Sequence, residues 1–310
     1  GVVKLASGDP TWRDLTALTY HYETQPLPPW TAWYMHQLPS AFQRVSTVLL
    51  FFVELAVPFL IFGPRRLRLA AFTLLVALQI SIAATGNYAF FNLLSALLCL
   101  LLLDDRLLAR IGRRAAESPG HGELAEARRW PRAVVAGVAI VVLPVGLLHL
   151  GAPMPAPVLV AAQVVAPLRL VNGYGLFAVM TTRRQEIILE GSADGQTWLP
   201  YEFRWKPGDL RRRPGFVAPH QPRLDWQMWF AALGPYEASP WLAALEERLL
   251  EGSPAVVALL NGNPFPGRPP RLLRARLWDY RFTDRTARRA TGEWWRREEA
   301  GAFGPTLERK

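Results

Sequence analysis

Four long apolar runs decide what this chain can fold into. Val45–Phe62, Leu67–Ala84, Ala89–Leu103 and Ala133–Leu150 carry at most one formal charge each. A helix of about eighteen residues rises about 27 Å, close to the hydrocarbon thickness of a bilayer. At that depth the backbone must satisfy its own hydrogen bonds, and a helix does so within one segment. The runs therefore predict a membrane α-helical bundle with spans at 45–62, 67–84, 89–103 and 133–150. A fifth run, Pro157–Val171, carries Pro157, Pro167 and Arg169. It reads as interfacial or re-entrant, with a full span as the alternative.

Hydrophobic residues make up 51% of the chain and the mean hydropathy is +0.10, which averages two unlike halves. Residues 1–171 read as a transmembrane helical domain with a collar at 8–40. Residues 172–310 read as one water-exposed domain. The net charge of +10 is nearly all arginine and clusters in loops beside the apolar runs. There it orients a membrane protein rather than binding nucleic acid, so no nucleic-acid partner is expected. Cys99 is the sole cysteine, which excludes an internal disulfide and a cysteine metal site. The chain opens at Gly1, and GVVKLA reads as the tail of a helix, so upstream spans are expected before it. No basic segment followed by an apolar run marks a signal peptide.

Arginine also predicts sidedness. Arg65, Arg66 and Arg68 sit between the first two runs. Arg106, Arg110, Arg113, Arg114, Arg128, Arg129 and Arg132 sit between the third and fourth. Positive-inside then places both loops in the cytoplasm, and the collar and everything after Leu150 outside. Within the runs, Glu54, Gln79 and His149 should face the bundle interior as structural hydrogen-bonding groups, or else mark a ligand or proton site. Asn87 reads as a cap or turn residue, and Pro58 and Pro144 as kinks.

Beyond residue 172 the pattern turns to strands. Tyr174–Thr181, Glu186–Glu190, Tyr201–Trp205 and Leu272–Phe282 read as strands, with Asp194–Gly195 as a hairpin turn and Glu293–Arg297 as an edge strand or surface patch. Arg223–Leu233, Pro240–Leu250 and Pro254–Asn261 read as helices, the second capped by Ser239. The expectation is a mainly-β, sandwich-like domain with a helical insertion and a loose tail after Ala300.

The motifs of common catalytic centres are missing: no G-x-S-x-G, H-E-x-x-H, P-loop or dinucleotide fingerprint occurs. Of the histidines (His21, His36, His121, His149, His220), His21 and His36 could meet as a metal pair. They could equally be interfacial hydrogen-bonding groups beside Tyr22, Trp30, Trp33 and Tyr34, a plausible aromatic belt. Two blocks stand out. One holds Trp12, Arg13, Asp14, His21, Tyr22, Glu23 and Gln25; the other holds His220, Arg223, Asp225, Trp226 and Trp229. Aromatic and arginine anchors serve protein-binding surfaces. They also serve a domain packing on its own bundle, which the spacing favours. No catalytic residue, metal ligand or cofactor is assigned.

The block GDPTWRDLTALTYHYETQPLPPWTAWYMHQLP closely resembles the signature of the lipase maturation factor family. FVELAVPFLIFGPRR, the GNYAFFN turn and LLDD follow that family's membrane region in order. VNGYGLFAVMTTRRQEIILEGSADGQTW, KPGDLRRRPGFVAPHQPRLDWQMWFAAL, NPFPGRPPRLLRARLWDYRFTD and GEWWRRE match its outer half. The resemblance implies a polytopic, non-enzymatic membrane protein of the endoplasmic reticulum that helps homodimeric lipases fold, its C-terminal domain lumenal. It also implies cysteines where this chain has Thr11 and Ala17, a departure that puts any thiol step in doubt. The family's first spans are absent here. Three lysines against abundant arginine suggest a GC-rich, bacterial genome, hence a plasma membrane facing the periplasm.

The expected function is thus a membrane-anchored, chaperone-like maturation factor for lipases or other exported clients. The alternative is a membrane enzyme acting on lipid or protein at the interface, since the membrane region distantly resembles vitamin K-dependent carboxylase-like proteins. Glu54, His21 and His36 would be its candidates. A channel or transporter fits less well, because the spans are few and the outer domain is large.

Overall fold

The computed structural model describes residues 1–104, 107–108, 131–169, 171, 173 and 175–309. They form two units, Gly1–Arg13 with Leu103–Val179 and Asp14–Leu102 with Met180–Lys310. Arg106, Arg110, Arg113, Arg114, Arg128, Arg129 and His121 lie outside the described residues.

In the first unit, Arg132–His149 is an 18-residue helix long and apolar enough to cross a membrane. Pro144 sits inside it. His149 Nδ1 lies 2.8 Å from the Val145 carbonyl one turn back, so its own helix satisfies the imidazole. Ala156–Val165 follows, shorter, and runs on as a 3-10 turn, Ala166–Leu168. Trp12 Nε1 donates to the Phe177 carbonyl at 2.9 Å, and the Lys4 ammonium lies 5.2 Å from the Trp12 ring centroid. The strand expected over 174–181 does not form among its described residues. Phe177 adopts φ +54, in the left-handed region that no strand tolerates, and Tyr174 itself lies outside the described residues.

In the second unit, Ser40–Phe62 and Arg65–Thr85 are long enough to span. The first changes from α-helix to 3-10 geometry at Val57, with Pro58 in the opening turn of that segment. Val53, Val57 and Ala71 pack with Leu74, Leu75 and Leu78 between the two. The run expected to span at 89–103 gives only the helix Phe91–Leu102, about 18 Å long and too short to cross alone. The chain before it is spent on a turn: Ala89 has φ +53, and Asn87 and Tyr88 are buried. Among the described residues, three helices of spanning length therefore stand against the four expected. Asn92 Nδ2 donates to Gln79 Oε1 at 2.9 Å, which partners the amide carried by the second span.

The outer domain is one antiparallel sheet, ordered β2-β1-β3-β4, with β5 also on β3. The strands are β1 (Arg184–Ser192), β2 (Leu199–Pro200), β3 (Leu272–Phe282), β4 (Trp295–Ala302) and β5 (Leu307–Glu308). In register, Ile187 opposes Leu277 and Leu189 opposes Ala275. These residues share a face with Leu273, and the helices Arg223–Ala231 and Pro240–Leu250 cover it with Met228, Leu242, Leu245 and Leu249. Helices, not a second sheet, thus complete the sandwich-like layering: the long insertion between β2 and β3 carries its apolar residues at helical spacing. The opposite face carries Arg184, Glu186, Tyr280 and Phe282. There Tyr280 and Phe282 pack with Trp294 and Trp295 against Leu18, Tyr22, Ala32 and Trp33 of the collar.

Two further expectations change. Tyr201–Trp205 is no strand beyond an isolated bridge between Phe203 and Leu260, because the Asp225 carboxylate takes the amides of Trp205 and Lys206. The tail is not loose either. β4 continues to Ala302, Leu307 pairs with Leu273, and Arg309 N donates to the Arg271 carbonyl at 2.8 Å. At the β1–β2 turn, Asp194 Oδ1 accepts from the amides of Gln196 and Thr197, both at 2.8 Å. These bonds and one from Ser192 hold its carboxyl down to about 2.

Tyr236 donates to Glu246 Oε2 at 2.6 Å. Burial raises the Glu246 carboxyl above its ordinary value, and the Tyr236 bond offsets only part of that rise. A raised acid favours the folded state most below its ordinary value, and that advantage is lost as pH climbs through the raised value. Glu246→Gln should therefore gain on wild type in melting temperature as pH rises from about 4 to 7; thermal unfolding in detergent across that range checks it.

Candidate functional site

Five consecutive carbonyls in the second unit mark the place where the collar meets the rest of the chain. The helix Ala17–Thr24 ends there, and its last carbonyls have no partner further along the helix. The chain then reads Gln25-Pro26-Leu27-Pro28-Pro29, and three of these residues have no N–H to give. Residues 24–29 are buried, so these acceptors need partners from elsewhere.

Three side chains supply them. Arg184 at the start of β1 donates Nη1 to the Glu23 carbonyl at 2.8 Å and also to that of Gln25, and Nη2 to that of Pro26 at 3.0 Å. Trp229 Nε1 donates to the Thr24 carbonyl at 3.0 Å. Asn87 Nδ2 donates to the Leu27 carbonyl at 2.9 Å. The sheet, the helix Arg223–Ala231 and the turn after Arg65–Thr85 thus all grip one stretch of six residues or fewer.

Each gripping residue is held in turn. Glu186 Oε1 accepts from Arg184 Nη2 at 2.6 Å, and Glu186 Oε2 from Lys206 Nζ at 2.8 Å, all three side chains at 1% exposure or less. Lys206 also donates to the Pro207 carbonyl at 3.1 Å. Asn87 uses its whole amide. Nδ2 also reaches the Gly215 carbonyl at 2.9 Å, while Oδ1 accepts from Val217 N at 2.8 Å and Ala218 N at 3.1 Å. It is a four-bond hub, not the cap or simple turn residue expected. Gly86 beside it is needed for close approach, since a Cβ there would come within 2.5 Å of Gln25 Oε1.

The collar closes on the sheet through further bonds. Trp33 Nε1 and Gln37 Nε2 both donate to the Thr283 carbonyl, at 2.8 and 3.1 Å. Glu23 Oε2 accepts from Phe282 N at 3.0 Å and lies 3.7 Å from His36 Nε2. Arg288 covers Trp294 at 3.6 Å and Trp33 at 4.9 Å. Toward the membrane, Gln25 Nε2 donates to the Thr85 carbonyl at 2.8 Å and Thr31 Oγ1 to that of Ala84 at 2.6 Å. His21 Nε2 pairs with the Tyr88 hydroxyl at 3.1 Å. Burial pushes the Tyr22 phenol up to about 12. It holds Tyr88 well above its ordinary value too, with the Tyr22 charge a lesser cause. Both phenols stay neutral at physiological pH.

The two blocks singled out in the sequence therefore divide. His21, Tyr22, Glu23, Gln25, Asp225 and Trp229 sit in or beside this joint, and Trp226 packs on Tyr88 with ring centroids 6.4 Å apart. Trp12 belongs to the first unit. Arg13, Asp14, His220 and Arg223 are exposed. Arg184, Glu186 and Lys206 were not singled out by sequence. The signal was a pair of charged residues, Arg184 and Glu186, spaced two apart at the start of a strand with an apolar centre, and one of only three lysines in an arginine-rich chain. Among the described residues no three His, Cys, Asp or Glu side chains gather as a metal site requires. Chemically, the joint is a dense set of hydrogen bonds that fixes one layer on another, with Arg184 Nε and Trp226 Nε1 buried beside it and left without a partner among the described residues.

A family model described as lipase maturation factor transmembrane domain matches residues 1–110, and one described as lipase maturation factor C-terminal domain matches residues 170–305. The chain is similar to lipase maturation factor 2 of Homo sapiens, 36% identical over 416 aligned positions that cover 99% of this chain and 57% of that protein. Against lipase maturation factor 2 of Gallus gallus the identity is 37%, covering 99% and 57%. Against lipase maturation factor 1 of Bos taurus it is 38%, covering 100% and 59%. The chain thus spans under three fifths of the length of these curated relatives. No solved structure matches it.

Asn87→Asp tests the joint with almost no change of volume. It replaces a donor to the buried Leu27 carbonyl and the half-buried Gly215 carbonyl by a charged acceptor, which should cost about 2–4 kcal/mol. Denaturant unfolding in detergent reads the loss, and limited proteolysis should find residues 205–218 newly cleavable.

Proposed function

The chain belongs to the lipase maturation factor family, and from that premise we propose a membrane-anchored maturation factor for exported proteins, lipases foremost, that works by holding clients rather than by catalysis. The observation that carries this is where the sheet domain is fastened. Arg65, Arg66 and Arg68 open the span Arg65–Thr85, and the collar bonds to Ala84 and Thr85 at its other end. Asn87, just past that end, bonds to Gly215, Val217 and Ala218 of the outer domain.

A basic end belongs in the cytoplasm. The collar and sheet domain then face the lumen of the endoplasmic reticulum, or the periplasm in a bacterium. This sidedness rests on one span and its two ends. It is therefore independent of how many times the remaining helices cross. Newly translocated polypeptides emerge on that side, where a rigid platform at the membrane surface can hold them while they assemble. The buried block residues of the second unit build the platform. The exposed Asp14, His220 and Arg223 of that unit are left for client contact. With Cys99 the sole cysteine of this sequence, the holding proposed for these residues draws on no disulfide among them.

Two measurements test the reading. Protease added to the cytosolic face of sealed vesicles should leave residues 180–309 intact, and digestion there would reverse the sidedness. Deleting residues 172–310 should lower the yield of active co-expressed secreted lipase several-fold while its polypeptide level holds; an unchanged active yield would sink the proposal.

A further inference from the structure

We propose that the outer domain lies against the bilayer its own helices cross, with Phe216, Phe230 and Leu233 seated in the interfacial layer. These side chains are 43%, 52% and 49% exposed, and Leu199, Trp205 and Leu259 are the other large apolar groups the domain leaves open. Trp226, Phe230 and Leu233 recur at i, i+4 and i+7, so they form one stripe along the helix Arg223–Ala231 and the turn after it. The opposite stripe, Asp225, Met228, Trp229 and Ala232, faces the protein interior.

Continuity with the span end names the occupant. The Trp226 ring lies 6.4 Å from that of Tyr88, three residues after the span Arg65–Thr85 closes, and 6.3 Å from that of Phe230. Independently, Phe216 lies 6.0 Å from Trp30. The Trp30 amide donates to the Pro214 carbonyl at 3.1 Å, and its neighbour Thr31 bonds to Ala84 in the last turn of the same span. Both exposed aromatic sites are thus one ring removed from residues at the end of a membrane helix. Phe90 and Phe91, stacked at 4.7 Å and about half exposed, open the next membrane helix nearby in sequence.

That depth is where aromatic belts sit, apolar body in the acyl chains and edge toward the headgroups. Arg213 adds the matching charge: its guanidinium lies 4.7 Å over the Trp30 ring, at the level where lipid phosphates lie. An exposed apolar stripe in water would instead invite association. The inference needs only that Arg65–Thr85 spans, and holds whichever compartment the domain faces.

Site-directed spin labelling of the full chain in lipid nanodiscs tests it. Cys99→Ala removes the native thiol, and Phe216→Cys, Phe230→Cys and Ala193→Cys place one label each. Ala193 is exposed just beyond the far end of β1, about 30 Å of extended chain from Arg184. Labels at 216 and 230 should favour collision with oxygen over a water-soluble nickel chelate several-fold, and the label at 193 should show the reverse. Equal nickel access at all three positions overturns the proposal. So does nickel exclusion at 216 and 230 that vanishes in discs holding a single copy, since a second copy would then be the cover. Two independent lipid-side positions keep the test open if one variant misfolds.

Discussion

The carbonyls of Glu23, Thr24, Gln25, Pro26 and Leu27 all point away from any partner of their own segment, and all are bonded by side chains from distant parts of the chain. A buried carbonyl left unpaired costs on the order of 1–3 kcal/mol. Five in a row would cancel much of the stability of an ordinary domain. The proline-rich exit from a short helix therefore cannot exist in this buried position without Arg184, Trp229 and Asn87. These residues in turn cannot reach it unless the sheet, its covering helix and the turn between two membrane helices are already in place. One unsatisfied stretch thus couples three elements.

The same logic explains the charges beneath it. Glu186 sits between Arg184 and Lys206, with all three buried. Removing three charges from water is expensive, and such clusters are weak evidence for stability in themselves. Here the geometry is what the cluster secures. A carboxylate fixes the guanidinium plane, and the guanidinium can then offer its remaining N–H groups to three carbonyls at once. Lysine in that place would offer a point charge with no planar fork.

A joint of this kind suits a holding function. Its donors are spent mostly on backbone carbonyls, and its phenols are kept neutral by burial. Its product is rigidity: the collar is bonded to the last carbonyls of a membrane helix, and Trp226 of the outer domain meets Tyr88 edge-on just past that end. On the function proposed above, such a platform would stand at the membrane surface, where an emerging chain would meet it.

The sequence by itself determined the division into a helical membrane region and a β-rich domain, because hydropathy and two-residue alternation are local properties. Leu272–Phe282 was legible to the residue, as was Pro240–Leu250. The basic end of Arg65–Thr85 could be read as well. The two special blocks stood out by composition, yet composition could not separate a client surface from an internal joint. Only the tertiary structure decided that. Asn87 looks like any turn residue until four backbone groups from residues 27, 215, 217 and 218 converge on it, and Arg184 looks like the end of a basic run until β1 carries it under the collar. The short helix Phe91–Leu102 also escaped, because its apolar run continues through residues that the fold spends on a buried turn. Hydrogen-bond demand is created by burial, and burial is a property of the packed chain, which no local window of sequence contains.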